Sequence, residues 1–208
     1  MITLAIAVGA MLSRGDDAKF IFTEFERQLH VRKSASGDLE GRGQGSELYS
    51  SSFLLQKPRS FRVIDGQIDL YCNGETEFSH LISEKEYLKR DVSRHRGYGA
   101  PSALDAFFGL PTGESAPYFV KKTEYQMQVV DGHLCAAKAI HFESFGRDDR
   151  MVFFVDRASK QIRGWDQVFG YKKMFFRIKN LRFDFVVPAD AFDWKLTPGL
   201  KERVIRPK

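Results

Sequence analysis

Three short turn signals constrain this chain most: Asp65-Gly66, Asn73-Gly74 and Asp131-Gly132, each placed beside runs in which apolar and polar residues alternate. A two-residue hairpin turn needs left-handed backbone at its centre, which Asn, Asp and Gly tolerate best. The flanking segments agree. Ile68, Leu70 and Cys72 alternate with Gln67, Asp69, Tyr71 and Asn73, the period of a strand with one buried face. Tyr125, Met127 and Val129 alternate with Glu124, Gln126 and Gln128, and the return run carries Ala136, Lys138, Ile140 and Phe142. Further strands are expected at Met151 to Asp156, Gln161 to Phe169 and Met174 to Val187. Strand following strand by hairpins specifies an antiparallel sheet, and a sheet of this many strands must curl or close. The expected fold class is therefore α+β: a single curved antiparallel sheet forming an incomplete, half-open β-barrel.

Two helices are expected to cover that sheet. From Asp16 the period becomes helical, with Ala18, Ile21, Phe22, Phe25 and Leu29 on one face and Lys19, Glu24, Glu26 and Arg27 largely on the other. Asp16 or Asp17 is suited to cap its start. A short mid-chain helix is expected between Pro101 and Gly109, with Leu104, Phe107 and Phe108 on its apolar face. Loop-like flanks leave it open whether this helix acts as a lid or packs as a static crossover. The apolar run Met1 to Leu12 is too short to span a membrane and lacks a basic leader. Residues 1–15 read as a truncated or atypical export signal rather than a core helix, and residues 16–208 as one domain.

Composition narrows the function classes. Hydrophobic residues make up 43% of the 208, and 19 are Phe, enough to fill a β core or line an apolar cavity. The net charge of +5 comes with acids interspersed among the bases, without the basic stripe that nucleic-acid binding requires. Cys72 and Cys135 lie far apart in sequence, as two buried small hydrophobes or, in an exported protein, a disulfide. His30, His80, His95, His133 and His141 show no metal-ligand spacing. The Gly-rich stretch Gly41 to Gly45 lacks the Lys-Ser/Thr ending of a phosphate loop and reads as a turn or bulged hairpin tip. With no nucleophile elbow either, the reading is a non-enzymatic protein without cofactor or metal.

What remains is the corner Lys57-Pro58-Arg59, between the apolar arms Phe53 to Leu55 and Phe61 to Val63. Pro58 confines it to a strand end or sheet edge. Lys57 and Arg59 either project at the mouth of an apolar cavity, stems on grease and heads on a polar group, or are solvated turn charges. The candidate cavity residues are Phe53, Leu55, Phe61, Val63, Leu70, Leu104, Phe107 and Phe108.

In order along residues 17 to 204, the motifs Phe53-Leu-Leu-Gln-Lys-Pro-Arg-Ser-Phe-Arg-Val63, Ile68-Asp-Leu-Tyr-Cys-Asn-Gly74, Glu86-Tyr-Leu-Lys89, Leu104 to Pro111, Val130-Asp-Gly-His-Leu-Cys135, Phe154-Val-Asp156 and Phe192-Asp-Trp194 with Pro198-Gly199 resemble the outer-membrane lipoprotein carrier (LolA/LolB-like) superfamily. The likeness is nearest to its periplasmic lipoprotein-sorting-type relatives. It implies an open barrel of about eleven strands whose apolar cavity takes lipoprotein or lipid acyl chains, in a periplasmic or otherwise exported monomer. Membrane-associated donor and acceptor proteins would be its partners. Carriers of the family place Arg before the Pro, where this chain has Lys57, a point charge rather than a planar fork. The alternative is a cell-envelope interaction or stress-sensing module with a filled core.

Overall fold

The computed structural model describes residues 2–43, 48–92, 119–144 and 147–204. Among these it contains one α-helix, α1 (Ile2–Val31), and twelve strands. They are β1 (Ser34–Gly43), β2 (Leu48–Gln56), β3 (Ser60–Ile64), β4 (Ile68–Asn73), β5 (Thr76–Leu81), β6 (Glu86–Asp91), β7 (Phe119–Val130), β8 (His133–Ser144), β9 (Arg147–Asp156), β10 (Ile162–Phe169), β11 (Lys172–Phe183) and β12 (Lys201–Glu202). The hydrogen-bonded order is β12-β6-β5-β4-β3-β2-β1-β11-β10-β9-β8-β7. β2 to β6 and β7 to β11 pair antiparallel by hairpins, whereas β12 joins β6 in parallel. Among the described residues the terminal strands β12 and β7 do not pair with each other. The expected mid-chain helix, with Leu104, Phe107 and Phe108, falls outside the described residues.

The turn signals hold where they are expected. Asp131 and Gly132 both take positive φ, 49° and 79°, the geometry of a two-residue hairpin loop. Asp65 Oδ1 accepts the backbone N–H groups of Gln67 and Ile68, and Asn73 Oδ1 accepts those of Glu75 and Thr76. Two expectations need correction. α1 begins at Ile2, so Asp16 and Asp17 are exposed residues inside the helix and neither caps it. β11 stops at Phe183 rather than Val187. There Asp184 turns left-handed (φ 52°), and its carboxylate accepts Lys33 N–H at 2.8 Å and Arg32 Nη1 at 2.8 Å, drawing the chain out of the ladder.

The chain divides into two compact units. The first holds α1, residues 41–48 and residues 116–178, which include β7 to β10 and most of β11. Ala18, Ile21, Phe22, Phe25 and Leu29 are buried as the helical period requires, and α1 packs on β7, β8 and β9. Phe22 meets Phe25 and Tyr125 edge-on, at centroid distances of 6.3 and 6.1 Å, and Glu26 forms an ion pair with Lys138. Along this face Phe142, Met151, Val155, Trp165 and Phe176 are buried, with Trp165 stacked on Phe176 at 4.7 Å. The opposite face carries a second cluster of Val130, Cys135, Ala137 and Phe154. Arg177 covers the Phe154 ring at 5.3 Å and is held by Asp131 (2.7 Å) and Asp166 (2.8 Å).

The second unit comprises residues 32–40, 49–115 and 179–208. Its strands β3 to β6 are only five or six residues long. The C-terminal segment closes on them: Trp194 stacks against Phe78 and lies tilted on Tyr87, both at 4.7 Å. Ala191 and Phe192 are buried.

Candidate functional site

The candidate acyl-binding residues of β2 to β4 gather on one face. Register pairs Phe53 with Val63 and Val63 with Leu70, and the neighbouring row pairs Leu55 with Phe61 and Phe61 with Cys72. Because side chains alternate along a strand, these six project to the same side, in two parallel cross-strand rows. The rows differ in burial. Leu55 (4% exposed), Phe61 (2%) and Cys72 (0%) are sealed, whereas Phe53, Val63 and Leu70 are half-buried. Apolar surface thus grades from closed to partly open along one direction of the strands.

The Lys57-Pro58-Arg59 corner sits at the closed end, immediately beyond the last β2–β3 pair, Gln56 with Ser60. Lys57 N–H donates to Lys33 C=O at 2.9 Å, and the Lys57–Pro58 peptide is cis. Burial pushes the Lys57 ammonium below the usual lysine range, opposed by the Asp184 carboxylate. The Cys72 thiol lies 3.6 Å from Arg59 C=O, and burial raises its pKa, so it packs as a hydrophobe with little thiolate character. Both cysteines are buried and free, matching the small-hydrophobe reading rather than a disulfide.

Gly37 shapes the open row. A Cβ there would lie 2.9 Å from the Phe53 ring and 2.9 Å from Lys179 C=O, so only glycine leaves room for the Phe53 ring at this point of β1. Among the described residues no cluster of His, Cys, Asp and Glu is arranged to hold a metal. Two histidines form single contacts with carboxylates, His133 with Asp156 (3.0 Å) and His141 with Glu124 (2.8 Å). No helix among the described residues is long and apolar enough to cross a membrane. Sequence reasoning passes over Arg62, flanked by Phe61 and Val63, although alternation alone puts it on the opposite face from them.

No protein-family model matches the chain, and no curated protein matches it by sequence. Solved structures do resemble it. An uncharacterized conserved protein from Thermus thermophilus superposes with a TM-score of 0.57 at 10% identity, covering 89% of this chain and 99% of that one. LprF from Mycobacterium bovis gives 0.47 at 7% identity, over 83% and 96% of the two chains. A LolA superfamily protein from Nitrosomonas europaea gives 0.41 at 9% identity, over 85% and 97%. At such identities the likeness concerns fold alone: the chain shares the fold of the Thermus protein, and a LolA superfamily member is among its structural neighbours.

Proposed function

We propose that the protein is a non-enzymatic carrier or sensor that binds lipid or lipoprotein acyl chains against the Phe53–Val63–Leu70 row, in the cell envelope after export directed by residues 1–15. The observation that carries the reading is the one-sided gathering of Phe53, Leu55, Phe61, Val63 and Leu70 into two rows that grade from sealed to half-open. A fully sealed face would be core, and a fully exposed one would promote aggregation. A half-open apolar row beside a filled one suits an alkyl chain laid along it, gaining about 25 cal/mol for each Å² of apolar surface removed from water. Lys57 and Arg59 are the nearby cations for a polar end of the ligand, and Leu104, Phe107 and Phe108 are proposed to complete the apolar wall. Lipoprotein donor and acceptor proteins would be the partners of such a carrier.

Native mass spectrometry of the purified protein, before and after mixing with phospholipid, tests this. Uptake of an acyl-bearing adduct is expected. Val63→Asp, at a half-buried position that leaves the sealed row untouched, is expected to weaken uptake at least about tenfold by setting a charge against the alkyl chain. A protein that takes up no acyl-bearing ligand would sink the reading.

A further inference from the structure

The opposite face of the same unit holds a different kind of concavity. A cleft of about 540 Å³ is lined by Ser36, Gly37, Asp38, Ser52, Phe53, Leu54, Arg62, Asn180 and Arg182. Its orientation follows from alternation. The Phe53 ring lies on the side to which a Gly37 Cβ would point, so Ser36 and Asp38 face the other way. Ser52 and Leu54 share that side with Arg62, which pairs with Leu54 across β2 and β3. The cleft's polar lining therefore faces away from the acyl-binding row, with which it shares only Phe53 and the Gly37 position.

Its polar groups are incompletely used. Arg182 is exposed and makes no hydrogen bond or ion pair with another described residue. Arg62 is half-buried, and among the described residues its side chain makes one hydrogen bond, from Nη1 to Ala191 C=O at 3.5 Å, the outer limit of such a contact. A guanidinium has five N–H donors, so both arginines keep most of their capacity free. The acid in its lining, Asp38, is engaged at 2.6 Å by the Asn180 side-chain amide. The Ser36 and Ser52 hydroxyls complete the lining.

The geometry points to a second ligand site on this face, in which Arg62 and Arg182 clamp the phosphate of a phosphoester that also carries hydroxyl or amine donors. Two guanidiniums match phosphate oxygens in forked pairs, which a lone ammonium cannot do. The volume exceeds that of a bare ion and falls within the range of small-molecule sites. The second oxygen of Asp38 repels a further anionic centre and accepts from a hydroxyl or amine, which selects the body attached to the phosphate. Two sources share this chemistry, a free sugar or polyol phosphate and a phospholipid headgroup.

Calorimetric titration of the full chain with glycerol 3-phosphate, and in a separate arm with phosphatidylcholine vesicles with and without phosphatidylglycerol, tests the site. Saturable binding in at least one arm is expected, the responding arm identifying the source. Arg182→Gln is expected to weaken it roughly ten- to a hundredfold, as loss of a charge-assisted pair does, with Arg182→Lys intermediate. Circular dichroism should be unchanged in both variants, because Arg182 makes no hydrogen bond or ion pair with another described residue. No binding in either arm, or binding indifferent to Arg182→Gln, overturns the inference. Acyl uptake measured on Arg182→Gln stays at the parent level whatever the result, which separates this site from the one on the other face.

Discussion

The two units bury their apolar surface by different means. In the first, a thirty-residue helix lies on long strands, and Phe22, Phe142, Met151, Phe154 and Val155 are all at or below 2% exposure. In the second, short strands carry a sealed row beside a half-open one, and the C-terminal segment is held by aromatic stacking through Trp194. The first spends its aromatic residues on a close-packed interior, where a missing methylene is felt. The second leaves Phe53, Val63 and Leu70 half-covered, where stability asks less and a ligand can gain more.

The contrast is open to attack, most strongly at Gly164. Its φ is +143°, and a Cβ there would lie 2.0 Å from Phe176 C=O, a backbone atom that cannot step aside. Gly164→Ala is expected to cost about 3 kcal/mol or more in urea unfolding, as strain at a special backbone position does. A loss below about 1 kcal/mol would mean that the β10–β11 pairing is far looser than drawn. Next come Phe22→Ala and Val63→Ala as a pair: about 3–5 kcal/mol for the buried helix residue, and about 1 kcal/mol or less for the half-buried strand residue. Equal costs would erase the difference between the units.

A smaller effect than that of Phe22→Ala is one of pH. Asp156 is 4% exposed and accepts the N–H groups of Ser159 (2.7 Å) and Ala158 (2.9 Å). Those bonds, with the Ser159 amide contributing most, lower its pKa below the ordinary 3.8 despite the opposing effect of burial. A depressed carboxyl pKa adds stability that is present above the unfolded value and disappears as pH falls through the folded one. Asp156→Asn is therefore expected to cost about 1–2 kcal/mol at pH 7 and progressively less below about pH 4, read from thermal unfolding across that range. A cost independent of pH would assign the loss to geometry rather than charge.

Much of the fold can be read from the residues because it is set locally. The Asp-Gly and Asn-Gly turns specify their own backbone, and the period of Ala18, Ile21, Phe22, Phe25 and Leu29 specifies a buried face whatever it packs against. The end of β11 cannot be read this way. Phe183, Phe185 and Val187 continue the alternation, yet the strand stops where the left-handed Asp184 meets Lys33 and Arg32, more than 150 residues earlier in the chain. The start of α1 escapes for a related reason: an acidic pair resembles a cap until the residues before it are also helical. At the candidate site, alternation places Phe53, Leu55, Phe61, Val63 and Leu70 on one face, but strand register is needed to sort them into a sealed and a half-open row. The cleft on the other face is not legible, because Arg62 and Arg182 lie far apart in the chain and converge only through the sheet.

The aromatic stacks also give the molecule a built-in pair of gauges. The chain has two tryptophans, and each unit holds one: Trp165 against Phe176 in the first, Trp194 against Phe78 and Tyr87 in the second. Replacing either with Phe leaves a single indole whose emission follows one half of the chain. Melting and ligand occupancy then become separately visible in each half, without attaching a dye.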